Sequence, residues 1–304
     1  MTGARLSIAA LCIGALCSVG GGCRQTEPEP AATPAPQAER QGTAPAAPGA
    51  APPASDAYRQ AATPAAPGQE APRPACDGSP TPHAEAVAFA AKYGPDRHSQ
   101  YCEEWIARDY FADRRDGIFV DVGANDPEHY SNTYYLEKVL GWSGLAIDPV
   151  AEFAAAYEKQ RPRSRFFPFF ASDVTDSTAT VFMPGKDTLV VSSTRSFSER
   201  WGKDIKEWKS PTIRLTDLLD RAGIRRVDLL SIDVELAEPK VLAGFDIDRF
   251  KPALVCVEGH SEVRQQILDY FARHRYVVVG QYLRVDTQNL YFEPLSRRAG
   301  KVGG

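Results

Sequence analysis

The stretch that most constrains this chain is IFVDVGANDPEHYSNTYYLEKVLGWSGLAIDP, residues 118–149. An apolar run, Ile118–Val122, enters Gly123 and a polar turn of Ala124, Asn125, Asp126 and Pro127. Helix-forming residues follow over 131–139, and a second apolar run, 145–147, ends in Asp148. Strand, glycine turn, helix and strand make a βαβ unit, whose parallel strands belong in a larger sheet. Glycine lets the backbone turn tightly and approach a ligand, and the helix start offers free N–H groups. A carboxylate 25 positions beyond Gly123 (148 − 123) is placed to accept both hydroxyls of a ribose. The unit predicts a nucleoside-cofactor site, although the same pattern serves as a plain strand–turn–helix in α/β proteins that bind nothing there.

The turn also selects among cofactors. Dinucleotides ask for GxGxxG, because a pyrophosphate needs several close backbone approaches. Here Gly123 is followed by Asn125, Asp126 and Pro127, and Asp121 stands just before it. An acid at that point repels a pyrophosphate and suits the ammonium of a methionine moiety, so S-adenosylmethionine is expected over NAD.

Three blocks, DVGANDP, SNTYYLEKVLGWSGLAIDP and VDLLSIDVELAEPKVLAGFD, occur in that order. They resemble the FkbM-family methyltransferases over residues 118–292. The resemblance implies a Rossmann-like fold of the class I methyltransferase type, dependence on S-adenosylmethionine, and O-methylation of a sugar or related hydroxyl. Three positions depart from the family: Pro127 and Leu236 where glycine is frequent, and Asp148 where glutamate is. Aspartate keeps the ribose chemistry, whereas Leu236 brings a bulky side chain beside the expected site.

The first 23 residues carry one basic residue, Arg5, a 14-residue apolar run over 6–19, and Gly20–Gly21–Gly22–Cys23. The run is short for a bilayer span and suits a signal-peptide core, with Cys23 as a lipid-attachment site. This predicts a membrane-anchored or exported protein of the cell envelope, or a cytoplasmic-facing one if the segment is an uncleaved anchor. Residues 24–75 hold 12 of the chain's 24 prolines and 17 alanines, with Tyr58 as the one aromatic, and are expected to form a disordered tether. Residues 76–304 have the length of one α/β domain. A net charge of −4 without a basic cluster argues against nucleic acid as a partner. Of the cysteines left after the signal, Cys76 and Cys102 could bridge in an oxidising compartment, and Cys256, within LVCVE, reads as a buried small hydrophobe. Asp233, Glu235 and Glu258 could together offer hard oxygen ligands to Mg²⁺, but no pair has diagnostic metal spacing, so no metal is expected.

Helices are expected over 83–93, 100–112, 131–139, 151–159, 216–222 (capped by Thr216 and stopped by Gly223), 238–243 and 262–274. Strands are expected over 118–122, 145–147, 165–170, 227–232, 253–257, 276–279 and 289–292, with an excursion over 178–183 and 189–192. Their alternation predicts a doubly wound, mostly parallel α/β sheet, the last two strands making an antiparallel edge. Ligands in such sheets bind at the carboxyl ends of the strands. There the sequence offers Asp121, Gly123, Asn125, Asp148 and Asp173 for the cofactor, and Asp233, Glu235, Glu258 and His260 for catalysis, His260 having the ordinary pKa best matched to neutral pH. Two functions compete. One is methyl transfer to a sugar or glycan-like hydroxyl; the other is a non-catalytic envelope lipoprotein that uses the same fold as a binding module.

Overall fold

The computed structural model describes residues 84–297. The expected signal, the lipid-attachment site at Cys23, the Pro/Ala-rich linker and Cys76 lie outside the described residues.

Two helices, α1 (Ala84–Tyr93) and α2 (Glu103–Phe111), precede β1 (Ile118–Val122). The chain continues through α3 (Tyr134–Lys138), β2 (Ser143–Ile147), α4 (Ala154–Gln160), β3 (Ser164–Phe167) and β4 (Phe170–Ser172). Then come β5 (Thr178–Pro184), α5 (Arg195–Ser198), β6 (Ile205–Arg214), α6 (Leu215–Arg221) and β7 (Leu229–Ile232). The last part holds α7 (Glu238–Ala243), α8 (Ile247–Phe250), β8 (Leu254–Glu258), α9 (Arg264–Arg273), β9 (Tyr276–Val278) and β10 (Asn289–Pro294).

Seven strands make one sheet in the order β3-β2-β1-β7-β8-β10-β9. All neighbours run parallel except β10, which inserts antiparallel between β8 and β9 and supplies the expected antiparallel edge. Side chains alternate between the faces of each strand, which places one set of residues against each helical layer. Val120, Val122, Leu145, Ile147, Leu230, Ile232, Val255, Val257 and Phe292 pack with residues of α6 to α9. Phe119, Leu229, Leu254, Cys256 and Tyr291 point the other way and pack with Trp105, Ile106 and Leu136 of α2 and α3. The sheet is doubly wound, a Rossmann-like α/β fold.

Three segments depart from the sequence reading. The strand expected over 165–170 breaks at Pro168, which has no N–H to give the ladder. Phe169 turns back onto the Phe167 carbonyl, and β4 leaves the main sheet to pair with β6. Of residues 189–192 only Ser192 pairs in a ladder, as an antiparallel bridge to Phe182; Asp187 accepts from the Leu189 N–H (3.1 Å) and starts a single 3₁₀ turn, Thr188–Val190. The missing strand is β6, which pairs with β5 up to Pro211 and with β4 from Thr212 onward. Thr216 does not cap α6, which starts after Arg214; the Thr216 hydroxyl accepts from the Asp246 N–H instead (2.8 Å). Gly223 ends α6 at φ +72°, as expected.

Cys102 is fully buried and disulfide-bonded, and Cys256 is a buried free thiol. Among the described residues no helix is long and apolar enough to cross a membrane.

Candidate active site

From β1 the chain winds outward to β2 and β3, then returns across β1 to β7 and β8. The reversal opens a crevice between β1 and β7 at their carboxyl ends, the usual ligand position in such sheets. A cleft enclosing about 750 Å³, part of it open to solvent, lies there. Its polar wall includes Asp121, Asn125, Asn132, Asp148, Asp233 and Glu235. Its apolar wall is Ile147, Phe169, Phe170, Leu189 and Val191, the last four contributed by the segment that leaves the main sheet.

Gly123 is required by its neighbours. It sits at φ +83°, and a Cβ there would overlap the Asp233 carbonyl oxygen. The close approach at this glycine is therefore strand to strand, across the crevice, in addition to its place in the cleft wall. Asn125 follows at φ +47°, a region that asparagine tolerates better than most residues. Its side-chain oxygen accepts from the Asp126 N–H (2.7 Å) and the Thr188 hydroxyl (3.1 Å). Asp148 ties this turn to β2. One of its carboxylate oxygens accepts from the Asn125 N–H (3.0 Å), the other from the Val150 N–H (2.8 Å). Each oxygen keeps a second acceptor position. Burial raises the Asp148 carboxyl to about 7 against those two bonds, so donors arriving in the cleft would stabilise its charged form. Asp121, also buried, accepts from the Thr133 hydroxyl (2.8 Å), and burial raises it to about 6.

Sequence reasoning missed the group that holds this loop. Arg161, fully buried, donates to Glu137 (2.7 Å), to the Pro127 carbonyl (2.7 Å), to Ser131 Oγ (3.1 Å) and to Thr133 Oγ1 (3.1 Å). It therefore fixes both ends of the 127–133 segment, which carries Tyr130 and Asn132 into the cleft. Nothing in QRPRSR separates this arginine from its exposed neighbours. Gln100, Glu103 and Thr188 also line the cleft without having been singled out.

The four expected catalytic residues come together. Glu235 lies in the turn after β7, Glu258 ends β8, and His260 follows it. His260 Nε2 is 2.9 Å from Glu235 Oε2 and 3.0 Å from Glu258 Oε2. Those contacts, with Glu235 and then Glu258, raise His260 to about 10. The expectation that His260 titrates near neutrality is thus corrected: the two carboxylates favour its protonated form. Burial lifts Glu235 to about 7 and pushes Asp233 well up, in each case with neighbouring carboxylates adding to the rise. Glu238, at the start of α7, accepts from the Val234 N–H (3.2 Å) and is raised by burial to about 7.

Leu236 sits at φ +78°, directly after Glu235 at φ +53°. This is the conformation that favours glycine. The leucine side chain packs against the main core and is absent from the cleft wall, so it does not obstruct the site. Asp173 is not brought in. It is exposed beyond β4, accepts from the Ser172 hydroxyl (3.0 Å), and does not line the cleft. The break at Pro168 carried its strand end away.

The sequence model of the family described as "Methyltransferase FkbM domain" matches residues 121–278. No curated protein matches the chain.

Proposed function

The chain belongs to the FkbM methyltransferase family, and we propose that it moves a methyl group from S-adenosylmethionine to a hydroxyl of a sugar or glycan-like acceptor. Asp148 carries this reading. It is a buried carboxylate at the tip of β2, with one free acceptor position on each oxygen, beside apolar walls of Ile147, Phe169 and Phe170. A vicinal diol next to a flat heterocycle, as in a nucleoside, matches those acceptors and that surface. Asp121 adds negative character on the β1 side, which suits an ammonium group.

S-adenosylmethionine supplies an electrophilic methyl: the acceptor oxygen forms the C–O bond while the S–CH₃ bond breaks and its electron pair stays on sulfur. The protein's part is alignment and removal of the hydroxyl proton. Glu235 fits the second task, because it lines the cleft and its pKa lies near neutrality. His260, bonded through Nε2 to Glu235, orients that carboxylate, and Glu258 stands 3.0 Å from the same nitrogen. Asp233 completes the acidic wall. The apolar run before Cys23 supports a location at the cell envelope, with the domain held to a membrane by acyl chains on Cys23.

The test is transfer of labelled methyl from S-adenosylmethionine to a panel of oligosaccharides. The expected result is acid-stable label in one acceptor class, slowed by roughly 10²–10⁴-fold in Glu235→Gln with cofactor binding retained. Cofactor binding with no label in any hydroxyl-bearing acceptor would favour a binding module instead.

A further inference from the structure

We propose that Glu235, Glu258 and His260 form a binding site for one divalent first-row transition ion of the Mn²⁺ or Zn²⁺ type. The inference rests on the methyltransferase reading for the ion's role, but the site is tested without it. The three side chains offer ligand atoms that all lie within 4.8 Å of one another. Donors held about 2.1 Å from one ion at right angles stand about 3.0 Å apart. His260 Nε2 is 2.9 Å from Glu235 Oε2 and 3.0 Å from Glu258 Oε2, which are such edges.

One N–H on Nε2 serves one carboxylate, and Glu235 has it. Glu258 Oε2 is buried without a hydrogen-bond partner despite its closeness to the ring. Behind it, Glu238 is fully buried, and its Oε2 also has no hydrogen-bond partner. Its other oxygen accepts from the Val234 N–H (3.2 Å), between Asp233 and Glu235, which places that second orphaned carboxylate at the same turn. Buried polar atoms in folded chains are paired, and orphans call for a partner such as an ion. Charge adds to this. Among the described residues, the ion pairs made by Asp233, Glu235, Glu238 and Glu258 go to His260 alone. Four clustered carboxylates facing one imidazole are a strong attraction for a divalent cation.

The donor set selects the ion. Two carboxylates and one imidazole suit Mn²⁺, Fe²⁺ or Zn²⁺, and a three-residue face leaves positions open, whereas Mg²⁺ favours oxygen ligands throughout. The ligands are also held in place. The Ser192 hydroxyl donates to the Glu235 carbonyl (2.6 Å), and the Phe197 ring lies edge-on to His260 with centroids 5.2 Å apart. An ion there would take the place of the Nε2 proton that His260 shares with Glu235 in the ion-free chain. It would border the cleft through Glu235 and polarise an acceptor hydroxyl, making its proton easier to remove.

The experiment titrates chelator-treated full chain with MnCl₂, following free Mn²⁺ by electron paramagnetic resonance, and with ZnCl₂ by calorimetry; MgCl₂ is the comparison. The expected result is one ion per chain, bound more tightly for Mn²⁺ and Zn²⁺ than for Mg²⁺. Glu258→Gln and His260→Gln should each weaken binding at least tenfold, roughly the least that disturbing a metal's surroundings costs. Glu207→Gln, at an exposed pair with Arg195, should change nothing. Far-ultraviolet circular dichroism checks the fold of each variant, and if Glu258→Gln fails to fold, His260→Gln decides. Absence of saturable uptake at millimolar ion, or uptake unchanged in the variants, overturns the inference. S-adenosylmethionine binding is measured on the same samples. Cofactor binding without ion uptake removes the ion site and leaves the proposed function standing. Variant-sensitive uptake without cofactor binding supports the site and removes the proposed function.

Discussion

Arg161→Met is the perturbation whose effect is set most clearly by the structure. The arginine side chain is 0% exposed and its partner Glu137 is 1% exposed. Methionine is apolar and close in length, so the change removes charge and donors more than volume. Glu137 would keep the Arg163 N–H (3.0 Å) and the Ser164 hydroxyl but lose its counter-ion. Leaving one partner of a buried pair uncompensated costs about 3–5 kcal/mol. At about 2–4 °C per kcal/mol for a domain of this size, Tm should fall by roughly 6–20 °C. The segment 127–133 loses its bonds to Arg161 at the same time, so ligand binding in the cleft should weaken beyond the stability loss. The assay is urea denaturation of wild type, Arg161→Met, Glu137→Gln and the double variant. Removing the second charge should restore part of what the first change took, giving a coupling energy above about 1 kcal/mol. A loss under about 1 kcal/mol for Arg161→Met, or additive single effects, would refute the reasoning.

The ligand-free chain should be more stable near pH 5 than at pH 8. Asp121, Asp148, Glu235 and Glu238 have folded values raised from 3.8 or 4.5 to about 6 or 7, so the fold favours their protonated forms. That contribution is complete below the unfolded values and is lost as pH rises through 6 to 7; denaturation midpoints at both pH values check the sign. The lowered carboxyls Asp109, Asp220 and Glu262 act oppositely, their contribution disappearing as pH falls below about 4. At Leu236, two substitutions separate backbone strain from packing. Leu236→Gly relieves a left-handed leucine worth roughly 1–2 kcal/mol while losing a similar amount of apolar burial and chain stiffness, so its melting temperature should stay close to wild type. Leu236→Val keeps more apolar surface yet should destabilise more, because a β-branched residue tolerates positive φ worst; the reverse order contradicts the strain argument. Cys23→Ser should move the protein from the membrane fraction to the soluble one, and unchanged fractionation would argue for an uncleaved anchor.

What the sequence disclosed and what it hid divide along physical lines. Ile118–Val122, Gly123 and Asp148 were legible because a buried parallel strand, a tight turn and a strand-end carboxylate each leave a local mark. The convergence of Asp233, Glu235, Glu258 and His260 was legible too, since a doubly wound sheet gathers its strand ends at one edge. Arg161 was not, because burial of a charged side chain is decided by contacts 24 to 34 residues away. Asp173 was misplaced by extending one strand through Pro168, a residue that argued against the extension. His260 was given an ordinary titration, whereas two carboxylates, one after β7 and one at the end of β8, raise it. Local chemistry predicts elements, and it fails where a residue's partners are distant in the chain.

The central claim, a nucleoside-bearing cofactor held by Asp148, is tested most directly by calorimetric titration of S-adenosylmethionine into wild type, Asp148→Ala and Asp148→Asn. Two charge-assisted hydrogen bonds at about 1.5–3 kcal/mol each predict affinity lower by at least one to two orders of magnitude in the alanine variant. Asparagine, keeping one acceptor oxygen, should fall between. The alanine variant should also melt somewhat lower, because the Asn125 and Val150 N–H groups lose their acceptor, so titrations are run well below its transition. Saturable one-to-one heat in wild type with that ranking is the expected result. Equal affinity in all three proteins, or no heat with wild type even when an acceptor is present, would contradict it.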